Sequence, residues 1–172
     1  MLTGYLNYWF SVQGIKKIIE LFEQNKYDIR FVGGCVRDAL LNNKSSEIDF
    51  AINCEPNTIV QLLKENNIAT ISDKNIRNGD GIKQLKDTVS TFDSLYVSVD
   101  LDVLDPAFAP GVGNPEAVGI SSRELYDLII SLQNKKIIAA DIVELNPSFD
   151  NGSTASMAAK LISTIIAMNL NR

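Results

Sequence analysis

The segment SVDLDVLDPAFAPG, residues 98–111, ends a largely apolar run from Leu95 to Val99 and decides the class of fold. The β-branched residues of that run predict a strand buried on both faces. Asp100 and Asp102 are two residues apart, and on a strand this spacing puts both carboxylates on the same face. Paired carboxylates repel each other unless a cation lies between them, and oxygen ligands suit Mn²⁺ or Mg²⁺. The pattern therefore predicts a metal site where parallel strands end; alternatively, Asp102 and Asp105 only cap a turn.

The elements after this segment alternate between helix and strand. Ser121 and Glu124 have the spacing of a capping box, which predicts a helix from there to about Leu132. Residues 137–143 form a second apolar run, and Ser153 or Thr154 is expected to cap a last helix. A strand–helix–strand–helix order implies parallel pairing through a right-handed crossover. The second half is thus predicted to be an α/β structure.

The first half contains a diglycine between a strand and a helix, FVGGCVRD at residues 31–38, and then Glu47 and Asp49 on a further strand. Glycines at such a turn let the backbone approach a triphosphate and present N–H donors to it. Two carboxylates on one strand face could hold Mg²⁺ against those phosphates. The alternative is a strand–turn–helix with an exposed acidic edge.

Length and composition limit what the chain can do. Its 172 residues allow one domain or two small ones, and the stretch richest in Asn, Asp and Gly puts a boundary near residues 70–75, giving segments 1–72 and 73–172. The 21 acidic residues exceed the 16 basic ones, so we expect no basic nucleic-acid-binding stripe. The absence of histidine excludes His-dependent catalytic triads and His-ligated metals. Two cysteines, no apolar run of membrane-spanning length and no signal peptide suggest a cytoplasmic protein.

The second half resembles the arginase/agmatinase, or ureohydrolase, family. The resemblance rests on residues 98–111, on Gly119, on the Pro115-Glu116 step and on Glu144-Leu-Asn-Pro147, and it covers about residues 74–172. Within the family, the sequence DVLDPAFAPGVGNPE, residues 102–116, is most similar to agmatinases. The resemblance implies a three-layer α/β/α fold with a parallel sheet, of which this chain has a part.

The ureohydrolase resemblance also implies a reaction and a site. Two Mn²⁺ ions activate a hydroxide that attacks a guanidinium carbon and releases urea, as from agmatine. Asp100 and Asp102 would be metal ligands, Glu144 would hold the guanidinium, and Glu116 would lie in a nearby loop. The family's Gly-Gly-Asp-His and Asp-Ala-His-x-Asp segments are absent, and Val118 replaces a usual glycine. The prediction is therefore an incomplete metal site with weak or no turnover.

The first half resembles the head of class II nucleotidyltransferases, the CCA-adding enzymes and poly(A) polymerases, over about residues 15–68. By this resemblance Gly33 and Gly34 would cradle phosphates, with Arg37 and Asp38 beside them. Glu47 and Asp49 would bind Mg²⁺, and nucleotide or tRNA would be the partner. Glu47 replaces the family's usual Asp, and the rest of the head is absent, so the segment is predicted to be truncated.

Three functions remain open from the sequence. The first is a ureohydrolase relative with manganese and a guanidino substrate. The second is a nucleotidyltransferase relative that binds nucleotide with Mg²⁺, in a chain that combines parts of two families. The third is a non-enzymatic module that associates through exposed sheet edges, and a homo-oligomer would fit this.

Overall fold

The chain folds into two compact units, Met1–Thr70 and Ile71–Arg172, in a computed structural model that describes residues 9–43 and 48–170. Glu47, one of the predicted Mg²⁺ ligands, lies outside the described residues. No helix in the described ranges is long and apolar enough to cross a membrane.

Within residues 9–43 and 48–70, the first unit contains helices and an antiparallel pair of strands. In chain order these are α1 (Gln13–Gln24), β1 (Ile29–Val32), α2 (Gly34–Leu40), β2 (Asp49–Ile52) and α3 (Pro56–Glu65). The register sets Val32 of β1 opposite Asp49 of β2. Trp9, Cys35 and Ala39 form the buried core, because the apolar side of α2 packs under the strand pair. The strand, helix and further strand predicted around the diglycine are found as β1, α2 and β2.

Up to residue 170, the second unit contains a parallel pair of strands and four helices. In chain order these are α4 (Asp73–Arg77), α5 (Gly81–Val89), β3 (Ser94–Asp100), α6 (Ser122–Ser131), β4 (Lys136–Val143) and α7 (Ser153–Leu170), with a 3₁₀ turn at Leu101–Val103. The parallel pairing of β3 with β4 is as predicted. Helix α4 was not predicted because its Asn-, Asp- and Gly-rich sequence was interpreted as a boundary, and no element was assigned to the residues of α5.

Helices cover one face of the β3–β4 sheet. Leu125 and Ile129 of α6 and Leu161 and Ile165 of α7 pack against the inward residues of the strands. Tyr96, on the opposite face of β3, is 60% exposed. The prediction that both faces are buried is therefore wrong, because burial alternates along β3 in the residues described. Of the three layers expected, these residues form two, the sheet and one layer of helices.

The two later helices are capped differently. In α6, Ser121 and Glu124 form the predicted capping box, with both reciprocal bonds present. In α7 the predicted capping by Ser153 or Thr154 is wrong. The carboxylate of Asp150 accepts hydrogen bonds from the N–H groups of Thr154 (3.0 Å) and Ala155 (2.9 Å). Positive φ at Gly152 turns the chain between them.

Candidate metal and guanidinium site

Asp100 ends strand β3 and also caps the turn that follows it. Its Oδ1 accepts a hydrogen bond from the N–H of Asp102 at 2.8 Å, which starts the 3₁₀ turn Leu101–Val103. Asp102 thus lies on a tight turn and not on the strand. The argument that both carboxylates share one strand face is therefore wrong, although the turn keeps the two side chains near each other.

The carboxyl group of Asp102 lies in an acidic and partly buried environment. Burial and the charge of Asp100 raise the pKa of Asp102 above its ordinary value, and Glu116 adds to the rise. Hydrogen bonds from Asn114 oppose the rise, since they favour the charged form. One oxygen of Asp102, Oδ1, is buried and has no hydrogen-bond partner among the described residues. An oxygen in this position can accept a cation.

The loop that carries Asn114 and Glu116 is fixed at both ends. Asp105 accepts hydrogen bonds from the N–H groups of Ala107 and Val118 at 2.9 Å each. Arg77 of α4 donates to the carbonyl oxygens of Val118 and, at 3.1 Å, Gly119. Asp105 therefore has the turn-capping role considered in the sequence analysis.

Glu144 follows β4 and meets the same loop. Residues Val112 and Leu145 form an antiparallel bridge, and the N–H of Asn146 donates to the carbonyl of Gly111 at 2.8 Å. Glu144 has a φ of 66°, in the left-handed region that non-glycine residues rarely adopt. A Cβ at Gly113 would lie 3.3 Å from Oε2 of Glu144, so the carboxylate lies against the loop. The structure thus joins Glu144 to the loop of Glu116.

These residues suit one hard cation better than two. Asp100 and Asp102 provide carboxylate oxygens at the end of a parallel strand, and Asp102 has an unpartnered oxygen. However, residues 9–43 and 48–170 include no group of three or more His, Cys, Asp or Glu side chains placed to hold a metal. The residues described therefore fit a weak single-ion site, and a two-ion site lacks ligands.

The diglycine turn of the first unit has its own geometry. Gly33 has a φ of 73°, and a Cβ there would lie 2.9 Å from Oδ2 of Asp49. Gly33, predicted to cradle phosphate, and Asp49, predicted to bind Mg²⁺, are therefore close to each other. Arg37, which the resemblance places beside the phosphates, donates through Nε and Nη2 to Oδ1 of Asp38 at 3.0 Å each.

Two residues at the second-unit site were not predicted. Arg77 lies in the segment interpreted as a boundary, and Asn114 is one of many asparagines in the chain. The signal that could have identified Asn114 is its position beside Glu116 in the quoted loop. Arg77 has no local signal, because its contacts are with carbonyl groups some forty residues away.

A parallel pair of strands with acidic residues where the strands end makes the second unit an α/β structure. The model of the Arginase family matches residues 33–168, and the chain belongs to that family. It is 45% identical over 91 residues to "Putative agmatinase 3" of Schizosaccharomyces pombe, covering 52% of this chain and 22% of that protein. It is 47% identical over 68 residues to "Agmatinase" of Halalkalibacterium halodurans, covering 38% and 24%.

Solved structures agree with the family match. The proclavaminate amidino hydrolase of Streptomyces clavuligerus has a TM-score of 0.59 at 27% identity, covering 68% of this chain and 40% of that one. An arginase of Bacillus subtilis has a TM-score of 0.56 at 32% identity, covering 62% and 38%. The chain spans less than half the length of these relatives. The comparisons give no support to the nucleotidyltransferase resemblance, which stays a prediction.

Proposed function

We propose that the second unit binds one Mn²⁺ ion through Asp100 and Asp102 and a guanidino compound such as agmatine through Glu144, with weak or no release of urea. The observation that carries the proposal is the buried, unpartnered Oδ1 of Asp102 beside Asp100. When bound, the ion would supply a Lewis acid that activates water. The names of the relatives, agmatinase and amidino hydrolase, support a guanidino substrate.

The chain's own side chains would act mainly by binding and orienting. Asp100 is already held by the hydrogen bond that its Oδ1 accepts from the N–H of Asp102, so binding an ion would cost it little further side-chain freedom. Glu144 presents a carboxylate that can accept two N–H groups of a planar guanidinium. Its backbone conformation is held by the bridge between Val112 and Leu145. Weak turnover is proposed because no histidine completes the ligand set.

Manganese binding can be tested by electron paramagnetic resonance titration of the whole chain. We expect weak binding, on the order of 10⁻⁴ M or weaker, because two carboxylates are few ligands. Asp102→Asn should abolish it. Asp100→Asn should weaken it strongly while retaining the acceptor that caps the turn. Asp93→Asn, at the other end of β3, is the matched control and should bind as the wild type does.

Urea release is measured separately, from agmatine and from arginine, with saturating Mn²⁺ and high protein concentration. Activity that depends on Asp100 and on Glu144 would extend the proposal from binding to catalysis. Binding without activity fits the incomplete site. No manganese binding by a folded chain would refute the proposal, whatever the urea assay gives.

A second candidate is binding of a nucleoside triphosphate with Mg²⁺ by the first unit. The contact between Gly33 and the carboxylate of Asp49 favours it, since a metal there would face the diglycine backbone. ATP and CTP binding should require Mg²⁺ and be lost in Asp49→Asn. Asp28→Asn, on the chain entering β1, is the control. Metal-independent binding, or none, would remove this candidate, and tRNA as a partner would fall with it.

A further inference from the structure

The chain contains two Asn-Gly steps, Asn78-Gly79 and Asn151-Gly152. At such a step the backbone nitrogen of the glycine can attack the side-chain amide carbon of the asparagine, because no Cβ hinders the approach. In both steps the asparagine Oδ1 accepts the N–H two residues on, from Asp80 and from Ser153, at 3.1 Å each. These Asx turns fold the side-chain amide back towards the peptide bond that follows it. The amide carbon is thus placed in the same way at both steps.

The two steps differ in what accepts the glycine N–H. At the first step the N–H of Gly79 donates to the backbone carbonyl of Ile76 at 3.1 Å, and a neutral carbonyl oxygen is too weak a base to take the proton. At the second step the N–H of Gly152 donates to the carboxylate of Asp150. A carboxylate in this position can act as a general base while the nitrogen attacks.

The carboxylate of Asp150 is fixed and ionised. It accepts the N–H groups of Thr154 and Ala155 at the start of α7, at 3.0 and 2.9 Å. Desolvation raises the pKa of Asp150, but the hydrogen bonds from these two N–H groups and from Gly152 outweigh it and leave the pKa below its ordinary value. Asp150 is therefore charged at neutral pH and can accept a proton.

The N–H of Ser153 lies where charge develops in the reaction. As the nitrogen of Gly152 attacks, negative charge builds on Oδ1 of Asn151, the atom to which this N–H already donates. Gly152 has a φ of 99°, and apart from its chain neighbours no described heavy atom lies within 4 Å of where its Cβ would be, so a ring formed there has room. Nucleophile, electrophile, base and oxyanion donor thus all come from residues 150–153.

We propose that Asn151 is a site of self-catalysed deamidation, in which Gly152 supplies the nucleophile and Asp150 the base. The nitrogen of Gly152 bonds to Cγ of Asn151, its proton passes through Asp150 to the leaving amide group, and ammonia departs from a cyclic succinimide. Water then opens the ring at either carbonyl and gives isoaspartate or aspartate at position 151. The reaction consumes one water and releases one ammonia, and it needs no other reactant.

The modification goes beyond the metal and guanidinium site and does not depend on it. Isoaspartate adds one methylene group to the backbone between Asp150 and α7, which displaces Asp150 from its place as the cap of that helix. Helix α7 carries Thr154, whose hydroxyl accepts the N–H of Gly111. Deamidation therefore loosens one attachment of the segment that precedes Glu116.

Peptide mapping by mass spectrometry tests the proposal on the whole folded chain, incubated at neutral pH and sampled over time. Asn151 should react about tenfold faster than Asn78, which is less than general-base catalysis usually provides, because a carboxylate of low pKa is a weak base. Isoaspartate should be among the products, since it forms only through the ring. Asn146 precedes Pro147, whose nitrogen carries no proton, and is a blank on the same tryptic peptide.

Two variants and an unfolded sample isolate the role of the fold. Asp150→Asn keeps an oxygen that accepts N–H groups but cannot take a proton, so Asn151 should slow to about the rate of Asn78. Asp87→Asn removes a carboxylate from α5 and should leave both rates unchanged. In urea concentrated enough to unfold the chain, the two Asn-Gly steps should react at about the same rate. Circular dichroism establishes which samples are folded.

Four results would overturn the proposal. They are a rate at Asn151 no higher than that at Asn78 in the folded chain, aspartate without isoaspartate, and an unchanged rate in a folded Asp150→Asn chain. The fourth is a preference for Asn151 that persists in urea, since it would then belong to the local sequence and not to the fold. If Asp150→Asn does not fold, the comparison of the wild type with and without urea decides.

Discussion

Replacing Val118 by glycine should stabilise the second unit. Val118 has a φ of 67°, in the left-handed region, where a β-branched side chain is a genuine outlier. The conformation is imposed from both sides, because Asp105 accepts a bond from its N–H and Arg77 donates to its carbonyl oxygen. Both bonds use the backbone, so a glycine keeps them.

The size of the effect follows from two opposing terms. The left-handed conformation costs a non-glycine residue about 1–2 kcal/mol. Glycine also makes the unfolded chain more flexible, which offsets about 0.5–1 kcal/mol of this stabilisation. Val118 is 73% exposed, so little apolar burial is lost. Val118→Gly should therefore stabilise the unit by about 1 kcal/mol, equivalent to about 5 °C in Tm for a unit of this size.

The measurement is a urea titration followed by circular dichroism and by tryptophan fluorescence. The single tryptophan, Trp9, belongs to the first unit, so its fluorescence transition should stay in place while the dichroism transition of the second unit moves. Val103→Gly makes the same change at a residue of ordinary φ and should destabilise the unit by about 1 kcal/mol. A Val118→Gly variant that is neutral or less stable, with an unchanged m-value, would refute the reasoning.

Two other predictions concern polar groups that hold the second unit together. Hydrogen bonds from Ser121 lower the pKa of Glu124 below its ordinary 4.5, so its stabilising contribution is present above pH 4.5 and is lost as the pH falls through the lower, folded value. Glu124→Gln keeps the acceptor of the capping box but loses the charge at the helix N-terminus, so it should cost about 0.5 kcal/mol at pH 7. Titrations repeated down to pH 3 should find the difference shrinking, and a constant difference would contradict this. The buried hydroxyl of Thr154 accepts the N–H of Gly111 at 2.8 Å, so Thr154→Val should cost about 1–3 kcal/mol in the same assay, whereas Thr154→Ser should cost less. Equal losses in the two variants would mean that packing, and not the hydrogen bond, matters there.

Sequence patterns predicted those elements that depend on residues close together in the chain. The capping box of Ser121 and Glu124 and the parallel β3–β4 pair are found as expected. Two errors came from treating neighbours in sequence as a regular strand. Asp102 belongs to a turn capped by Asp100, and Tyr96 faces solvent, because strand periodicity does not show where a strand ends or which face a helix covers.

The candidate site was predicted only in part, because some of its residues act through contacts that are distant in sequence. The acidic residues that precede and follow the loop could be identified from their motifs. The loop's anchors could not, since Arg77 acts on carbonyl groups that are distant in sequence and carry no side-chain signal. The left-handed backbone conformation of Glu144 could not be predicted either, because a motif of side-chain identities does not specify a backbone dihedral angle.

The parallel pairing of β3 and β4 also sets the order in which the second unit can fold. Helix α6 and both of its connecting loops lie between the two strands, so the chain must close a long loop before the first strand-to-strand bond forms. Helix α6, with its own capping box, can form before that closure because its contacts are local. The antiparallel strands of the first unit are closer in sequence. Topology therefore makes the second unit the slower of the two to fold.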